Sequence, residues 1–283
     1  MSEAGALLIL GVFAILLLIM GWHREFFVLP QKEWKVPIGI FHLVLAFFLY
    51  FLITLSLTTV VVKFFGKEIK NNFVGASTWL NFIVSSLTLL SLITYLRSIN
   101  APVRKGIWHR QTDEPCIKED FWYALYAWVL AFPLVMFLSQ TLEQLLLKIF
   151  QITQLPDQAA VKFLKATFDN PSYFTLAVLA IVVLAPLIEE ILFRGLLQTY
   201  IRQHIGSKQA IVVSAMCFSL FHYTAGQGLG NVSIIISLFI LALFLGFIYE
   251  KRGSLFAPIF LHSLFNTVSV ANLYLFGGLS SGI

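Results

Sequence analysis

The chain is built of long apolar runs separated by short polar connections. Eight runs read as membrane spans: Gly5–Trp22, Val36–Val62, Phe73–Leu96, Phe121–Leu138, Tyr173–Gln203, Gln209–Tyr223, Val232–Tyr249 and Ser254–Phe276. A bilayer core of about 30 Å needs roughly 20 apolar residues of helix to cross it. None of the runs shows the strict alternation of a strand. In lipid, each segment has to satisfy its own backbone polar groups, so all eight are expected to be α-helices. The fold class that follows is an all-α polytopic transmembrane helix bundle of about eight spans. The sixth run is the shortest. The spacing of the runs divides the chain into N-terminal spans (1–138), an extramembrane connection (139–172) and C-terminal spans (173–283). Within the connection, Leu142–Phe150 has apolar residues on one helical face, with Glu143 and Lys148 elsewhere. That pattern predicts a short helix lying on the membrane surface. An ordinary ordered loop is the alternative.

Composition strengthens this picture. Hydrophobic residues make up 59% of the chain and charged residues 12%, with a mean hydropathy of +0.86. A soluble domain carries about 25% charged residues, so this chain lacks a polar shell and lipid must cover it instead. The net charge of +5 does not point to nucleic acid, because no basic stripe interleaved with aromatics is present. Lys and Arg sit beside the apolar runs, where they set topology. The first run has no Lys or Arg before it and ends Gly21-Trp22-His23-Arg24, which reads as a span with an interfacial Trp and not as a cleavable signal. Cys116 falls in a polar loop and Cys217 in an apolar run, so a structural disulfide is not expected.

Loop charge then gives an orientation. The odd-numbered loops, including Arg24, Lys32, Lys35 and the group Arg97 to Lys118, carry 12 Lys and Arg against 6 in the even-numbered loops. The positive-inside rule places the odd loops in the cytoplasm and both termini outside.

Ionisable residues inside a membrane segment are costly and are functional candidates by default. The fifth run contains Pro186, Glu189, Glu190 and Arg194. Glu190 and Arg194 are i and i+4 and can pair along one face. Glu189 is turned about 100° from Glu190 and is free to face another group. His222 closes the sixth run. His262 and Asn266, again i and i+4, project from one face of the last. His42 in the second run is read as a packing residue. Counted from Arg202, Lys208 and Arg252, the residues Glu189, His222 and His262 lie at depths of roughly 20, 21 and 15 Å. Three helices thus bring polar groups to similar depth.

Two chemistries suit this set. Glu189 can act as a general base on water with His222 holding that water, while His262 and Asn266 donate to an oxyanion. Alternatively, Glu189, His222 and His262 can ligate zinc with water in the open position. No HExxH is present to demand a metal.

In order along the chain, Glu189-Glu190-x-x-x-Arg194, Phe218-x-x-x-His222 and His262-x-x-x-Asn266 resemble the motifs of the CAAX-protease and bacteriocin-processing family, which includes the type II CAAX prenyl endopeptidases. The resemblance covers about Tyr173–Asn272. It implies an intramembrane glutamic-type endopeptidase that cleaves near the cytoplasmic leaflet. Glu189 and His222 would activate water, His262 and Asn266 would form the oxyanion hole, and Glu190, Arg194 and Phe218 would support them. It implies no cofactor, with zinc as the alternative. The expected partners are membrane lipid and a peptide or protein substrate, either a lipidated C-terminal tail or a leader peptide, and not nucleic acid. The expected location is a prokaryotic plasma membrane. A non-catalytic immunity or chaperone-like relative is the competing reading, and a transporter is disfavoured because no inverted repeat is present.

Overall fold

The computed structural model describes residues 3–30, 35–110 and 116–277. Lys32, counted among the first loop's charges, lies outside them. Among the described residues the regular structure is helical, with one isolated antiparallel bridge between His109 and Ser254. The helices are α1 (Glu3–His23), α2 (Ile40–Asn71), α3 (Phe73–Ser98), α4 (Ala101–Trp108), α5 (Ile117–Phe150) and α6 (Ala159–Lys165). A single helix from Pro171 to Ile205 follows. It comprises α7 (Pro171–Leu179), α8 (Ala185–Glu190) and α9 (Thr199–Ile205), joined by π-helical stretches at Ala180–Leu184 and Ile191–Gln198. The chain ends with α10 (Ser207–Phe221), α11 (Gly230–Arg252) and α12 (Phe256–Phe276).

Among these, seven helices are long and apolar enough to cross a membrane. The protein is a multi-pass membrane helix bundle. The sixth expected span is the exception. At 15 residues, α10 is about 22 Å long and falls short of the roughly 30 Å hydrocarbon core. Its continuation is stopped by a loop containing Gly226 and Gly228, the latter at φ +49°, where a side chain would be strained. Asn231 closes this loop. It accepts from the Thr224 N–H at 3.0 Å and donates to the carbonyls of Thr224 (2.8 Å) and Gly228 (3.2 Å).

The stretch Leu142–Phe150 forms the last turns of α5, not a separate surface helix. The helix runs without a break from Ile117 to Phe150, and even Pro133 is absorbed within it. At 34 residues, α5 is about 51 Å long, so it projects well beyond a 30 Å core.

Helix ends are fixed by polar side chains. The Asn72 side chain accepts from the Gly75 N–H at 3.0 Å to start α3. The Asn170 side chain accepts from the N–H groups of Ser172 and Tyr173, both at 3.1 Å, to start α7. These are ordinary N-cap bonds to otherwise unsatisfied amides. His42 behaves in the same way: its Nδ1 accepts from the Gly39 N–H at 3.1 Å beside the start of α2.

The odd-numbered loops meet on one face. Lys251 donates to the carbonyls of Glu25, Phe26 and Val28. The Arg110 N–H donates to the Gly253 carbonyl at 2.6 Å, and Arg252 pairs with Glu119 and Asp120 at 2.9 and 2.8 Å. Glu250, almost fully buried, accepts from Arg110 (3.2 Å), Gln198 (2.9 Å) and Ser207 (3.3 Å) and lies 3.5 Å from Arg202. Opposite them, Asn72 donates to the Tyr173 hydroxyl at 3.2 Å, joining two even loops. The shared sidedness expected of the odd loops is therefore present in the packing.

Candidate active site

The site begins with a local departure from α-geometry. Pro186 has no N–H to donate to the preceding turn, and the π-helical stretch Ala180–Leu184 lies immediately before α8. A second π stretch follows at Ile191–Gln198. Such segments are rare and concentrate at functional sites. Between them, α8 turns Glu189 and Glu190 in different directions, as their 100° separation requires.

Glu190 points into the protein. Both it and Arg194 are fully buried, and they pair at 2.9 Å along the helix. The same carboxylate oxygen lies 2.8 Å from His262 Nδ1. Arg194 also donates to the Ala242 carbonyl at 3.3 Å, and its guanidinium lies 4.4 Å from the Phe218 ring centre. Phe218 is fully buried, packing against the rings of His222 and His262 as well. This aromatic ring thus touches three of the polar residues it was expected to support.

Glu189 points the other way, toward the histidines. Its Oε2 lies 3.7 Å from His222 Nε2 and 3.9 Å from His262 Nε2. Both distances exceed a direct hydrogen bond. The buried Oε2 accepts no hydrogen bond from a described residue. Each imidazole is held by its other nitrogen. His222 Nδ1 lies 2.9 Å from the Phe218 carbonyl, and a carbonyl can only accept, so that nitrogen carries the proton. His262 Nδ1 faces the Glu190 carboxylate, and the same reasoning puts a proton there. Both Nε2 atoms are thereby presented to Glu189.

Asn266 sits one turn along α12 from His262. It donates to the Ile181 carbonyl, inside the first π stretch, at 2.8 Å, and it lines a separate, mostly apolar cavity of about 280 Å³ with Ile181, Ser237 and Phe265. The fold thus brings Glu189, His222 and His262 together around one carboxylate oxygen, binds Glu190, Arg194 and Phe218 into the wall behind them, and places Asn266 to the side.

The donor types match a zinc site, but the spacing is loose. Ligands about 2.1 Å from a tetrahedral zinc stand roughly 3.4 Å apart, against 3.7 and 3.9 Å here. Among the described residues no group of three His, Cys, Asp or Glu side chains is gathered closely enough to hold a metal ion. Both cysteines are free.

One part of the site was not anticipated. Glu189 also lines a cavity of about 330 Å³ between α2 and α3, beside Tyr50, Thr54, Asn81, Ser85 and Thr88. The available signal was polar residues recurring at helical spacing within two apolar runs.

No curated protein and no solved structure matches the chain. Residues 171–268, about a third of the chain, match the family model of the type II CAAX prenyl endopeptidase Rce1-like proteins. That segment contains all three motifs, from Glu189 to Asn266, and the buried cluster they form. Over residues 171–268 the chain is therefore similar to the type II CAAX prenyl endopeptidase Rce1-like family.

Proposed function

We propose that the protein hydrolyses a peptide bond within the membrane by a glutamate mechanism, with Glu189 as the general base. The observation that carries this reading is the position of Glu189 Oε2, 3.7 Å from His222 Nε2. A polar gap of this width suits a bridging water. The proton on His222 Nδ1 leaves its Nε2 as an acceptor in the neutral ring. A water between the two groups donates one hydrogen to each, and its lone pair is turned toward the substrate carbonyl. Glu189 takes the proton as the oxygen attacks, then passes it to the departing amine nitrogen.

The tetrahedral intermediate needs donors for its oxyanion. His262 can supply one from Nε2 only as an imidazolium, because Nδ1 already donates to Glu190. Glu190, whose Oε1 lies 2.8 Å from Nδ1, holds that ring in place. Asn266 has a second amide hydrogen beyond the one given to Ile181, and that hydrogen is its contribution to the oxyanion.

The substrate is read as a membrane-associated peptide or protein, with a lipidated C-terminal tail or a leader peptide as the two classes to compare. A non-catalytic relative would keep the fold without turnover. Cleavage of a mass-encoded peptide library, with and without farnesylated tails, separates these readings. Wild-type protein in detergent is expected to cleave, and Glu189→Gln to be slower by at least about 10²-fold, the lower end of a general base's contribution. Near-normal cleavage by Glu189→Gln would overturn the glutamate mechanism.

A further inference from the structure

Two helices outside the family match carry polar stripes. On α2, Tyr50, Thr54 and Thr58 recur every four residues. On α3, Ser77, Asn81 and Ser85 do the same, and Thr88 follows one turn on. Residues four apart on a helix share a face, and these two faces line the 330 Å³ cavity that ends at Glu189. Exposed faces of α2 are otherwise strongly apolar, with Phe41, Leu52, Leu55 and Phe64 turned outward. Hydroxyls and an amide lined up inside such helices call for a partner.

The protein itself supplies few partners. Ser77 bonds to the carbonyls of Phe73 and Val74 in its own helix. Thr88 is 1% exposed, and its hydroxyl has no hydrogen-bond partner among the described residues. No protein hydrogen bond engages the side chains of Thr54, Thr58, Asn81 or Ser85 among those residues. The cavity volume falls at the lower end of ligand pockets, about 300–1,000 Å³. Among the described residues Glu189 is the one carboxylate in its lining, and no Lys, Arg or His lines it.

We propose that this cleft binds an uncharged, extended stretch of the substrate peptide through its backbone and delivers it to Glu189. The inference rests on the endopeptidase reading and assigns α2 and α3 the role of substrate binding. Hydroxyl and carboxamide groups both donate and accept, so they can meet peptide N–H and C=O groups without regard to side-chain identity. The spacing agrees: one helical repeat of four residues rises about 6 Å, and two residues of an extended chain advance about 6.6 Å. From Ser77 to Thr88 the stripe covers about 16 Å along α3. It runs from the end of α3 where Asn72 meets Tyr173 to Glu189. A charged peptide segment would find no counter-ion along it.

The test measures binding and turnover separately. The probe is an internally quenched, farnesylated peptide ending in a Cys-aliphatic-aliphatic-X tail. Its counterpart is N-methylated at alternate backbone positions away from the scissile bond. Binding is measured by fluorescence polarisation on full-length Glu189→Gln protein in nanodiscs, and turnover on the same chain with Glu189 intact. N-methylation is expected to raise Kd at least tenfold, since each lost hydrogen bond weakens binding by roughly threefold to tenfold. Introducing Thr54→Val, Asn81→Leu and Ser85→Ala together should raise Kd for the unmethylated peptide by a similar factor and abolish the difference between the two peptides. Ser85→Ala alone, and the conservative set Thr54→Ser, Asn81→Gln and Ser85→Thr, guard against misfolding, the latter keeping tight binding. Absence of binding, or equal discrimination in parent and triple variant, would overturn the proposal. So would a fall in kcat at unchanged KM, which would make the cleft a water path. Binding of the probe without cleavage by the wild type would instead sink the endopeptidase reading and leave the cleft standing.

Discussion

Glu189 and Glu190 are neighbours in sequence with opposite surroundings, and exchanging each for Gln should give opposite phenotypes. Glu190 is fully buried and bonds to both Arg194 (2.9 Å) and His262 (2.8 Å). Glu190→Gln leaves the enclosed Arg194 guanidinium without its paired carboxylate, facing a neutral amide oxygen, the Ala242 carbonyl and the Phe218 ring. Breaking a buried ion pair from one side typically costs about 3–5 kcal/mol. At roughly 2–4 °C per kcal/mol for a chain of this size, the melting temperature should fall by about 6–20 °C. Removing both charges, as Glu190→Leu with Arg194→Met, should recover much of that loss, because an apolar pair of similar volume leaves no orphaned ion. It should not recover turnover, since His262 would still lack its carboxylate. Glu189→Gln, by contrast, removes a group whose buried oxygen accepts no bond from a described residue, and its melting temperature should stay within about 2 °C of wild type. Intrinsic tryptophan fluorescence during thermal unfolding in detergent reads all three variants. A melting temperature for Glu190→Gln equal to wild type, or a drop for Glu189→Gln as large as for Glu190→Gln, would refute the division of labour between the two carboxylates.

Other outcomes follow from the same geometry. Asn266→Ala should lower kcat by about 10²–10³-fold with little change in binding, the usual loss for one oxyanion donor; a fall in melting temperature that accounts for the lost turnover would show that its bond to Ile181 is its whole role. Chelators should leave cleavage intact, with no stoichiometric zinc in the purified protein by mass spectrometry, whereas loss in chelator and recovery on adding zinc would favour a metal held by Glu189, His222 and His262. For topology, single cysteines at the exposed positions Lys118 and Asp169 serve as reporters. They should label from opposite sides of the membrane, Lys118 from the cytoplasm, and labelling from the same side would contradict the bundle's sidedness.

The long helices were legible because each is an apolar run bounded by charge, and lipid leaves the backbone no alternative to helix. The Glu190–Arg194 pair was legible because i, i+4 proximity is a property of the helix alone. The gathering of Glu189, His222 and His262 was approached through depth counts, which the short α10 did not spoil because all three were measured from the same face. Three features lay beyond run length. The end of α10 depends on a loop closed by Asn231, a contact seven residues away. The continuation of α5 through Phe150 depends on the absence of a stop signal, and amphipathicity alone does not reveal that. The bond from Asn266 to Ile181 depends on how α12 crosses the first π stretch. The polar stripes of α2 and α3 were visible as spacing, but only their convergence on Glu189 shows what they face.

The shortness of α10 has a consequence for the bilayer itself. At about 22 Å, α10 is shorter than a 30 Å hydrocarbon core, so residues 222–229 turn before a full crossing, where an irregular backbone needs partners from the protein. Asn231 meets part of that need from within, offering one acceptor and two donor contacts to the turn. A carboxamide thus plays the part of solvent. It lets the chain reverse direction at depth and leaves His222, at the end of α10, on a scaffold whose position is set by the protein and is independent of where the membrane surface lies.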